Sequence, residues 1–520
     1  GRTRRKKNMP VVVESILGWM LQASTSSGCP LNSPSSATSL FITASEGKEI
    51  NTQLKRFWEI EEIGSNEVVK LTPEETLVNT RFKESITYEA DGEKGRYQVK
   101  LPVKDDLDQL LSNKVGAVTR YKGLKRRLNN NQTLGQQYRD VMQEYIDSGF
   151  MEKVNEDKEP EGVFYLPHHP VIKEDRSTTK VRPVFDASAG ENRSLNSYLF
   201  KGPTLQPHLN AIMMRFRLNP IAFTADVKKM FLMIQIHPDQ RDLLRVIWDD
   251  LIDGSQAVYR YTVLPFGLRC SPYLAIATIH HHVSKYAETH PHIVKEFLEN
   301  TYIDDLLTGA KTIEEAIASY EAEVKIMKAA GMDLRKWSSN HPLLTQRFIE
   351  DQVGSPEGQK DFILEEDKDS STSKLLGIRW NSSEDYFTFH EQGILEKAIS
   401  VRPTKRNILS VAGKLYDPPG WLSPFIIQIK ILVQMMWQRG NEWDETLPAD
   451  LQIKWDEWKD ELQWLSHIKI PRYIGSIHKQ YSHPVELHTF GDASEEAYAA
   501  ASYLKSVDED GELHITLMQS

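Results

Sequence analysis

The chain has 520 residues, of which 26% are charged, and its formal net charge is −10. No apolar run reaches the roughly 18 residues that a membrane span requires, and two cysteines, Cys29 and Cys270, are too few for a disulfide framework or a four-cysteine zinc site. No secretory signal is visible, so we expect an intracellular globular protein. The acidic total is unlike that of a nucleic-acid binder, but residues 165–245 hold 12 Lys and Arg against 7 Asp and Glu, which allows a local basic groove.

The chain opens with a basic run, Gly1-Arg2-Thr3-Arg4-Arg5-Lys6-Lys7, and no initiator methionine. We expect a fragment, or a product cut from a longer precursor. The run is typical of a localisation or RNA-binding tail, or of a solvated charged end. A Ser/Thr-rich stretch, residues 24–45, then predicts a linker.

Two helices are predicted before residue 150. Leu124-Lys125-Arg126-Arg127-Leu128 predicts a helix with a basic face. The second helix has an apolar stripe formed by Leu134, Tyr138, Val141, Met142, Tyr145 and Ile146. The triplet that follows, Asp147-Ser148-Gly149, matches the active-site triplet of aspartic proteases, but Gly149 is better explained as the end of this helix. We therefore expect no protease activity from it.

Isolated carboxylates stand in two apolar, strand-like segments farther along the chain. Asp226 lies in the run from Ile221 to Val227, and two consecutive acids lie in Tyr302-Ile303-Asp304-Asp305, where we place both acids in a turn. If the segments are adjacent strands, three carboxylates converge, which suits hard divalent cations such as Mg²⁺. The alternative is a surface hairpin with acidic turn residues.

A helix is predicted directly after the acidic pair. Thr312 and Glu315 form a capping box at its start, and Gly331 ends it. Its buried stripe has helical spacing and consists of Ile313, Ala316, Ile317, Tyr320, Val324 and Met327. We expect this helix to pack beneath the acidic hairpin.

Three segments in this order resemble the successive palm motifs of reverse transcriptases. They are Ala225-Asp226-Val227-Lys228-Lys229-Met230-Phe231, Leu264-Pro265-Phe266-Gly267-Leu268-Arg269-Cys270-Ser271-Pro272 and Tyr302-Ile303-Asp304-Asp305. Residues 166–173, 180–188 and 413–420 resemble the Pol polyprotein of Pao (BEL-like) LTR retrotransposons. Residues 11–21 resemble the closing segment of the retropepsin-like protease of these elements, and residues 486–494 and 498–503 resemble the first strands of a ribonuclease H domain.

The resemblance implies an α+β fold: a right-hand polymerase with fingers, palm and thumb, a helical connection and an incomplete ribonuclease H-like α/β end. Within the connection, Leu375 to Trp380 resembles a hairpin that grips the primer strand. The expected regions are the tail of a retropepsin-like protease domain (1–33), a linker (34–54), a segment leading into the fingers (55–150), fingers and palm (151–345), thumb and connection (346–475) and a truncated ribonuclease H-like start (476–520).

The resemblance also implies catalytic residues. Asp226, Asp304 and Asp305 would hold two Mg²⁺ ions, with Mn²⁺ as a substitute. Three like charges so close together repel one another, so the site would be stable only with metal bound. Lys336 is the candidate for the lysine proposed to protonate the leaving pyrophosphate, with Arg335 as the alternative. Asp492 would be the first carboxylate of a ribonuclease H metal site, but such a site needs acids from later elements, so we expect no hydrolysis.

Other matching positions would contact the incoming nucleotide. Phe231 matches the aromatic residue that closes against the sugar C2′, and the alternative is an ordinary core phenylalanine. Phe266 and Gly267 match the loop that supports the nascent base pair, although Cys270 stands where retroviral relatives carry glycine. Cations on a predicted fingers hairpin would clamp the triphosphate: Lys173, Lys180 and Arg182.

A group of histidines raises the question of zinc. The group consists of His280, His281, His282, His290 and His292. No cysteine accompanies these residues, and they continue a helical pattern, so we predict the polar face of a helix instead.

The function that the resemblance implies is RNA-directed DNA polymerisation, in which a primer 3′-hydroxyl attacks the α-phosphate of a dNTP. The expected partners are an RNA or DNA template with a DNA primer, dNTP and a retroelement Gag particle, with no membrane. The expected location is the cytoplasm, with the nucleus as the alternative. The rival function is a catalytically inactive, co-opted protein that binds nucleic acid or associates with a particle.

Overall fold

The computed structural model describes residues 71–92, 94–154, 162–172, 181–190, 193–250, 254–353, 372–375, 377–389, 392–475, 485–507 and 511–520, together with the backbone of strands at 3–4, 11–15 and 18–22. These residues belong to two units. The larger unit is formed by residues 69–373 and 381–385, and the smaller unit by residues 1–68, 374–380 and 386–520. The predicted linker at 34–54 lies outside the described residues.

The helices lie in both units and are numbered in chain order. Those of the larger unit are α1 (Pro73–Ser85), α2 (Lys114–Asn130), α3 (Gln132–Asp147), α4 (Leu209–Phe216), α5 (Ser271–Ser284), α6 (Pro291–Asn300), α7 (Ile313–Ala329) and α8 (Pro342–Val353). Those of the smaller unit are α9 (Gln392–Ser400), α10 (Lys405–Ala412), α11 (Ser423–Gln438) and α12 (Ala449–Glu461). Over the part of the chain that the structure describes, no helix combines the length and apolar character needed to cross a membrane.

The strands are short and mostly antiparallel. The first fifteen are β1 (Thr3–Arg4), β2 (Val11–Ser15), β3 (Gly18–Gln22), β4 (Thr87–Asp91), β5 (Lys94–Val99), β6 (Met151–Lys153), β7 (His168–Ile172), β8 (Val181–Phe185), β9 (Ile221–Val227), β10 (Gln235–Ile236), β11 (Arg245–Asp249), β12 (Gln256–Tyr261), β13 (Thr301–Tyr302), β14 (Asp305–Ala310) and β15 (Leu334–Ser339). The others are β16 (Thr372–Leu375), β17 (Ile378–Asn381), β18 (Tyr386–Thr388), β19 (Ile470–Pro471), β20 (Glu486–Ala493), β21 (Tyr498–Val507) and β22 (Leu513–Gln519).

The central sheet of the larger unit has the strand order β13-β14-β9-β15. Every neighbouring pair in it is antiparallel. Six of the seven residues of β9 are buried, as expected for a middle strand covered on both faces. The two segments that carry the isolated carboxylates are therefore adjacent strands, as the sequence analysis required.

Helices α2 and α3 pack beside a second region of the larger unit. It consists of the sheet β11-β12-β6 and the separate hairpin β7-β8. The predicted end of α3 is confirmed, because the helix stops at Asp147 and Gly149 adopts a left-handed φ of 70°. Tyr138 and Met142 of the predicted stripe are fully buried against the core of the unit.

Helix α7 follows β14 and confirms the helix predicted after the acidic pair. Thr312 caps it by accepting a hydrogen bond from the Glu315 backbone N–H, while the Glu315 carboxylate accepts from Lys311 rather than from Thr312. The reciprocal half of the predicted capping box is therefore absent at this terminus. The helix ends at Ala329, and Gly331 follows with a φ of 68°.

The sequence analysis did not predict two acids on the helices next to the acidic hairpin, one fully buried and one half-buried. Glu323 of α7 is fully buried, and neither of its carboxylate oxygens has a hydrogen-bond partner among the described residues. Burial raises its pKa well above the ordinary value, and the nearby Glu296 of α6 raises the pKa further. Burial also raises the pKa of Glu296, to about 7. Both acids therefore favour the protonated form.

Among its described residues, the smaller unit contains three sheets and a group of helices. Strands β1 to β3 form the first sheet. Strands β16 to β19 form one sheet in sequential order, and β20 to β22 form an antiparallel sheet. Trp455 and Trp458 of α12 are buried and their rings stack 5.4 Å apart, so this tryptophan-rich helix is a core element of the unit.

Candidate active site

The site is centred on Asp226, the sixth residue of β9. Asp305 on β14 lies directly opposite Asp226 on one side, and Arg335 on β15 lies directly opposite it on the other. Side chains of directly opposed residues share a face of the sheet, which brings the three together in one row. The sheet register thus sets a pair of carboxylates beside one guanidinium.

The hairpin turn places Asp304 next to this row. Tyr302 pairs with Asp305, so the turn contains only Ile303 and Asp304. Our prediction that both acids lie in the turn was wrong, because Asp305 is already the first residue of β14. Ile303 has a φ of 57°, an unfavourable region for a β-branched residue, and such strain is common at functional sites. The Val227 N–H donates to the Asp304 carbonyl at 2.8 Å and ties the turn to β9.

The electrostatics of Asp304 reflect its neighbours. Its pKa is raised, first by burial and then by the like charge of Asp226, while Lys336 and Arg182 lower it. Asp226 and Asp304 therefore repel each other, while the charges of Lys336 and Arg182, from different strands, favour the ionised form of Asp304. A positive charge added to the site would relieve the repulsion.

Arg335 and Lys336 both approach Asp226. Arg335 Nε donates to Asp226 Oδ1 at 2.9 Å, and Lys336 Nζ lies 3.9 Å from Asp226 Oδ2. Strand β15 is bulged between Arg335 and Ser338, and Lys336 adopts a left-handed φ of 54° within the bulge. A bulge can redirect a side chain, and here two consecutive cations reach one acid. The sequence analysis had considered Arg335 only as an alternative to Lys336.

The acids have the chemistry of a magnesium site but are not gathered around one point. Among the described residues, no group of three or more His, Cys, Asp or Glu side chains could hold a metal ion as it stands. The ion pair with Arg335 occupies one oxygen of Asp226. The donors are nevertheless hard oxygens on adjacent strands. The pKa of Asp304 is raised first by burial and then by the like charge of Asp226, and a divalent cation would reduce that second effect. The residues present therefore fit such an ion.

The candidate nucleotide residues Phe231 and Phe266 lie together. Their ring centroids are 4.8 Å apart at 55°, and the Phe231 ring is half-buried against the core of the unit. Phe231 is therefore a half-buried residue that contacts the second candidate, Phe266, and burial alone does not choose between the two interpretations given above.

Gly267 lies against the hairpin β7-β8. Its φ is 104°, and a Cβ at this position would lie 2.0 Å from the Phe185 carbonyl oxygen, so only glycine fits. Asn196, which the sequence analysis missed, donates to the Gly267 carbonyl and accepts from the Arg269 N–H. Cys270 adopts φ −92° and ψ −10°, a conformation open to any residue, so this position does not require glycine.

The predicted triphosphate clamp is only partly described. Arg182, on β8, is half-buried. Its charge lowers the pKa of Asp304, which places this cation near the acids. Lys173 and Lys180 lie outside the described residues. The structure therefore brings Arg182 to the site and leaves the other two assignments as predictions.

Two other predictions concern residues away from these acids. Asp492 is exposed on β20 of the smaller unit, and its carboxylate accepts a hydrogen bond from the Ala493 N–H. The polar-face prediction was wrong for His282, which is buried in α5: its ring is hydrogen-bonded to the Tyr97 hydroxyl and the Ile326 carbonyl. Helix α5 is packed on more sides than the sequence pattern suggested.

Comparison with known families gives two matches along the chain. Residues 171–338 match the family model described as reverse transcriptase (RNA-dependent DNA polymerase). Residues 404–520 match the model described as Pao retrotransposon-like RNaseH-like domain. Both resemblances stated from the sequence are confirmed, and the mixed helices and strands of the structure agree with the expected α+β class. The second match begins within the segment that we predicted to be thumb and connection.

Individual relatives share shorter or weaker similarity. The Gag-Pol polyproteins of gibbon ape leukemia virus and koala retrovirus are 31% and 30% identical over 90 residues, which is 17% of this chain and 5% of each relative. Two solved structures are similar. The foamy viral protease-reverse transcriptase dRH in complex with double-stranded DNA has a TM-score of 0.46 and 16% identity, covering 74% of this chain and 55% of that one. The foamy viral protease-reverse transcriptase in complex with an RNA/DNA hybrid has a TM-score of 0.45 and 14% identity, covering 92% and 50%.

Proposed function

We propose that this chain, which carries a reverse transcriptase region followed by a Pao retrotransposon RNaseH-like region, extends a DNA primer on an RNA or DNA template by two-metal nucleotidyl transfer from dNTP. The observation that carries the proposal is the placement of Asp226 and Asp305 at paired positions of adjacent strands, with Asp304 in the turn beside them. This arrangement lies inside the region that matches reverse transcriptases.

Asp226, Asp304 and Asp305 would hold the metal ions, Mg²⁺ or Mn²⁺. When bound, such ions activate the primer 3′-hydroxyl and stabilise the charge on the leaving pyrophosphate. Lys336 is the proposed proton donor to the pyrophosphate, since its ammonium group lies 3.9 Å from Asp226 Oδ2. Its exposed position leaves it accessible to a leaving group.

The remaining site residues would bind and select the nucleotide. Arg182, with Lys173 and Lys180, is proposed to contact the triphosphate, because cations neutralise the charge that develops there. Phe231 is proposed to exclude the 2′-hydroxyl of an rNTP. Phe266 and Gly267 would support the new base pair, and the contact between the Phe231 and Phe266 rings supports the assignment of these two roles to neighbouring residues.

The wider assignments are part of the same proposal. We propose that residues 346–475 act as thumb and connection, that Asp492 belongs to a ribonuclease H-like site completed by later elements, and that the protein works in a cytoplasmic retroelement particle with Gag. The family match at residues 404–520 supports the Pao origin on which these assignments rest.

Primer extension tests the polymerase proposal. Asp304→Asn should reduce extension by more than about 100-fold, because loss of a ligand should cost at least as much as loss of an outer-shell partner. Asp333→Asn is a matched control, since Asp333 is exposed and its backbone carbonyl, which the substitution keeps, accepts from the Lys228 N–H. Equal background from wild type and Asp304→Asn, under conditions in which a known polymerase is active, would favour the inactive nucleic-acid-binding function.

A further inference from the structure

Helix α2 is unusually basic for this chain. Its 17 residues contain six Lys and Arg and no Asp or Glu, whereas the whole protein has a net charge of −10. One face is buried through Ala117, Tyr121, Leu124 and Leu128. The cations are therefore displayed on the other faces, as in surfaces that bind polyanions.

A cavity of about 260 Å³ lies between this helix and the hairpin β7-β8. Arg120, Gly123 and Arg127 line it from the helix, and Pro167, His169 and Asp186 line it from the hairpin side. Arg120 and Arg127 are seven residues apart, close to two helical turns, so they lie on the same face. Gly123 lies between them without a side chain, and a Cβ built there would meet no atom within 4 Å.

The charges around this cavity leave one cation uncompensated. Arg120 donates to Asp186 at 2.7 Å, and the other oxygen of Asp186 accepts from the Ser188 N–H. The Arg127 side chain, by contrast, makes no hydrogen bond or ion pair with any residue that the structure describes. The cavity therefore combines an open guanidinium with space for a ligand oxygen.

The neighbouring His168 supplies no charge. The Tyr138 hydroxyl donates to its Nδ1 at 2.6 Å, and its Nε2 donates to the Ile247 carbonyl at 3.0 Å. Burial lowers the pKa of His168 to about 4, so this side chain is neutral at physiological pH. The attraction for an anion therefore comes from the arginines.

Strand β8 connects the cavity to the candidate active site. Asp186 immediately follows this strand, and Arg182 lies four residues earlier, about 13 Å away at the usual rise of an extended strand. The charge of Arg182 lowers the pKa of Asp304 in the candidate active site. Between them, the Phe185 carbonyl contacts the position of Gly267. A strand of nucleic acid passing the fingers hairpin could reach both places.

We propose that this cavity binds a backbone phosphate of single-stranded nucleic acid, on the template arm that leads to the polymerase site. A polymer fits better than a free anion because open cations also lie outside the cavity: Lys122 and Arg126 are exposed on the adjoining, outer face of the same helix and have no partner among the described residues. The choice of a template as ligand rests on the proposed function, whereas the phosphate site itself does not.

The helix offers a matched pair of variants. Gly123→Glu places a carboxylate between Arg120 and Arg127, while Gly116→Glu makes the same change two turns earlier on the same face, outside the cavity. A Cβ at either glycine meets no atom within 4 Å, and Glu is the better helix former, so both variants should keep the fold. Thermal melting of both proteins verifies this.

The measurement is the anisotropy of labelled oligothymidylate at several salt concentrations, without metal or dNTP. Gly123→Glu should weaken binding about tenfold and lower the salt slope by about one, as expected for one lost phosphate contact. Gly116→Glu should change affinity less than about twofold. Arg127→Gln should lower the salt slope without adding bulk to the cavity.

Two results would overturn the proposal. One is an equal loss of affinity in Gly123→Glu and Gly116→Glu, which would show that the change in net charge weakens binding and the cavity does not contribute. The other is displacement of the oligonucleotide by millimolar inorganic phosphate at constant ionic strength, which would identify a small-anion site. Binding is measured without turnover, so the two proposals can fail separately. If the wild type does not extend primers but Gly123→Glu still weakens binding more than Gly116→Glu does, the polymerase proposal fails and this one stands.

Discussion

Arg335 donates from Nε to Asp226 Oδ1 at 2.9 Å, from the position directly opposite Asp226 on the neighbouring strand. The partner of Asp226 on its other side is Asp305, so Asp226 lies between a like charge and an opposite charge. The guanidinium therefore compensates a carboxylate that a divalent ion would also require.

The ion pair predicts that Arg335→Gln affects metal binding and stability in opposite directions. Mn²⁺ affinity, measured by calorimetry, should rise about three- to tenfold because the ion no longer competes with a guanidinium. In EDTA the free energy of unfolding should fall by up to about 1 kcal/mol, since the pair is only partly buried. Arg347→Gln, which removes exposed pairs to Glu321 and Asp351, is the control. Weaker Mn²⁺ binding in Arg335→Gln would show that Arg335 supports the metal site instead.

Arg182→Gln should mainly impair nucleotide binding. Loss of one charge-assisted contact to the triphosphate corresponds to a rise of about tenfold in the KM for dNTP, with a smaller change in kcat. Steady-state extension with varied dNTP measures both constants. Arg193→Gln removes an exposed cation from the same region and should leave KM unchanged. An unaltered KM in Arg182→Gln would remove this residue from the triphosphate clamp.

Phe231→Ala should admit rNTPs, because truncation of the ring opens the volume that a 2′-hydroxyl needs. The stability cost should be below the ~3 kcal/mol of a fully buried phenylalanine, since this ring is only half-buried. The measurement is the ratio of kcat/KM for dNTP over rNTP. Met233→Ala, in the same short turn, should cost stability and keep the ratio. A folded, active Phe231→Ala protein with the wild-type ratio would leave Phe231 as a core residue only.

Two neighbouring acids, the half-buried Glu296 and the fully buried Glu323, should make stability depend on pH. The raised pKa of each acid means that the folded state holds protons that the unfolded state releases, so stability is lost as pH rises through the folded pKa, about 7 for Glu296. In the wild type the free energy of unfolding should fall by about 3 kcal/mol between pH 5 and 8, and Glu296→Gln should remove this fall. Urea unfolding at several pH values measures it. The exposed Glu288→Gln serves as the control. Parallel pH profiles for wild type and Glu296→Gln would contradict this account.

The sequence by itself determined the order of the motifs, the two acidic strands and the helix that follows them. These features depend on local chemistry, such as the Thr312 cap, the glycine at the end of α3 and the apolar runs that form β9 and β14. The same features, with the resemblance to palm motifs, single out Asp226, Asp304 and Asp305 as candidate metal ligands. Their use as metal ligands stays a prediction, like the roles of Phe231, Lys336 and Arg182.

Only the tertiary structure decided what surrounds those acids. Strand register placed Asp305 and Arg335 on opposite sides of Asp226, and a bulge turned Lys336 toward the same carboxylate. Burial of Glu323 and the cavity beside Arg127 likewise depend on which helices and strands pack together. Local patterns cannot specify such pairings, because the energies of register, burial and charge compensation arise between residues more than a hundred positions apart in the chain, as for Asp226 and Arg335.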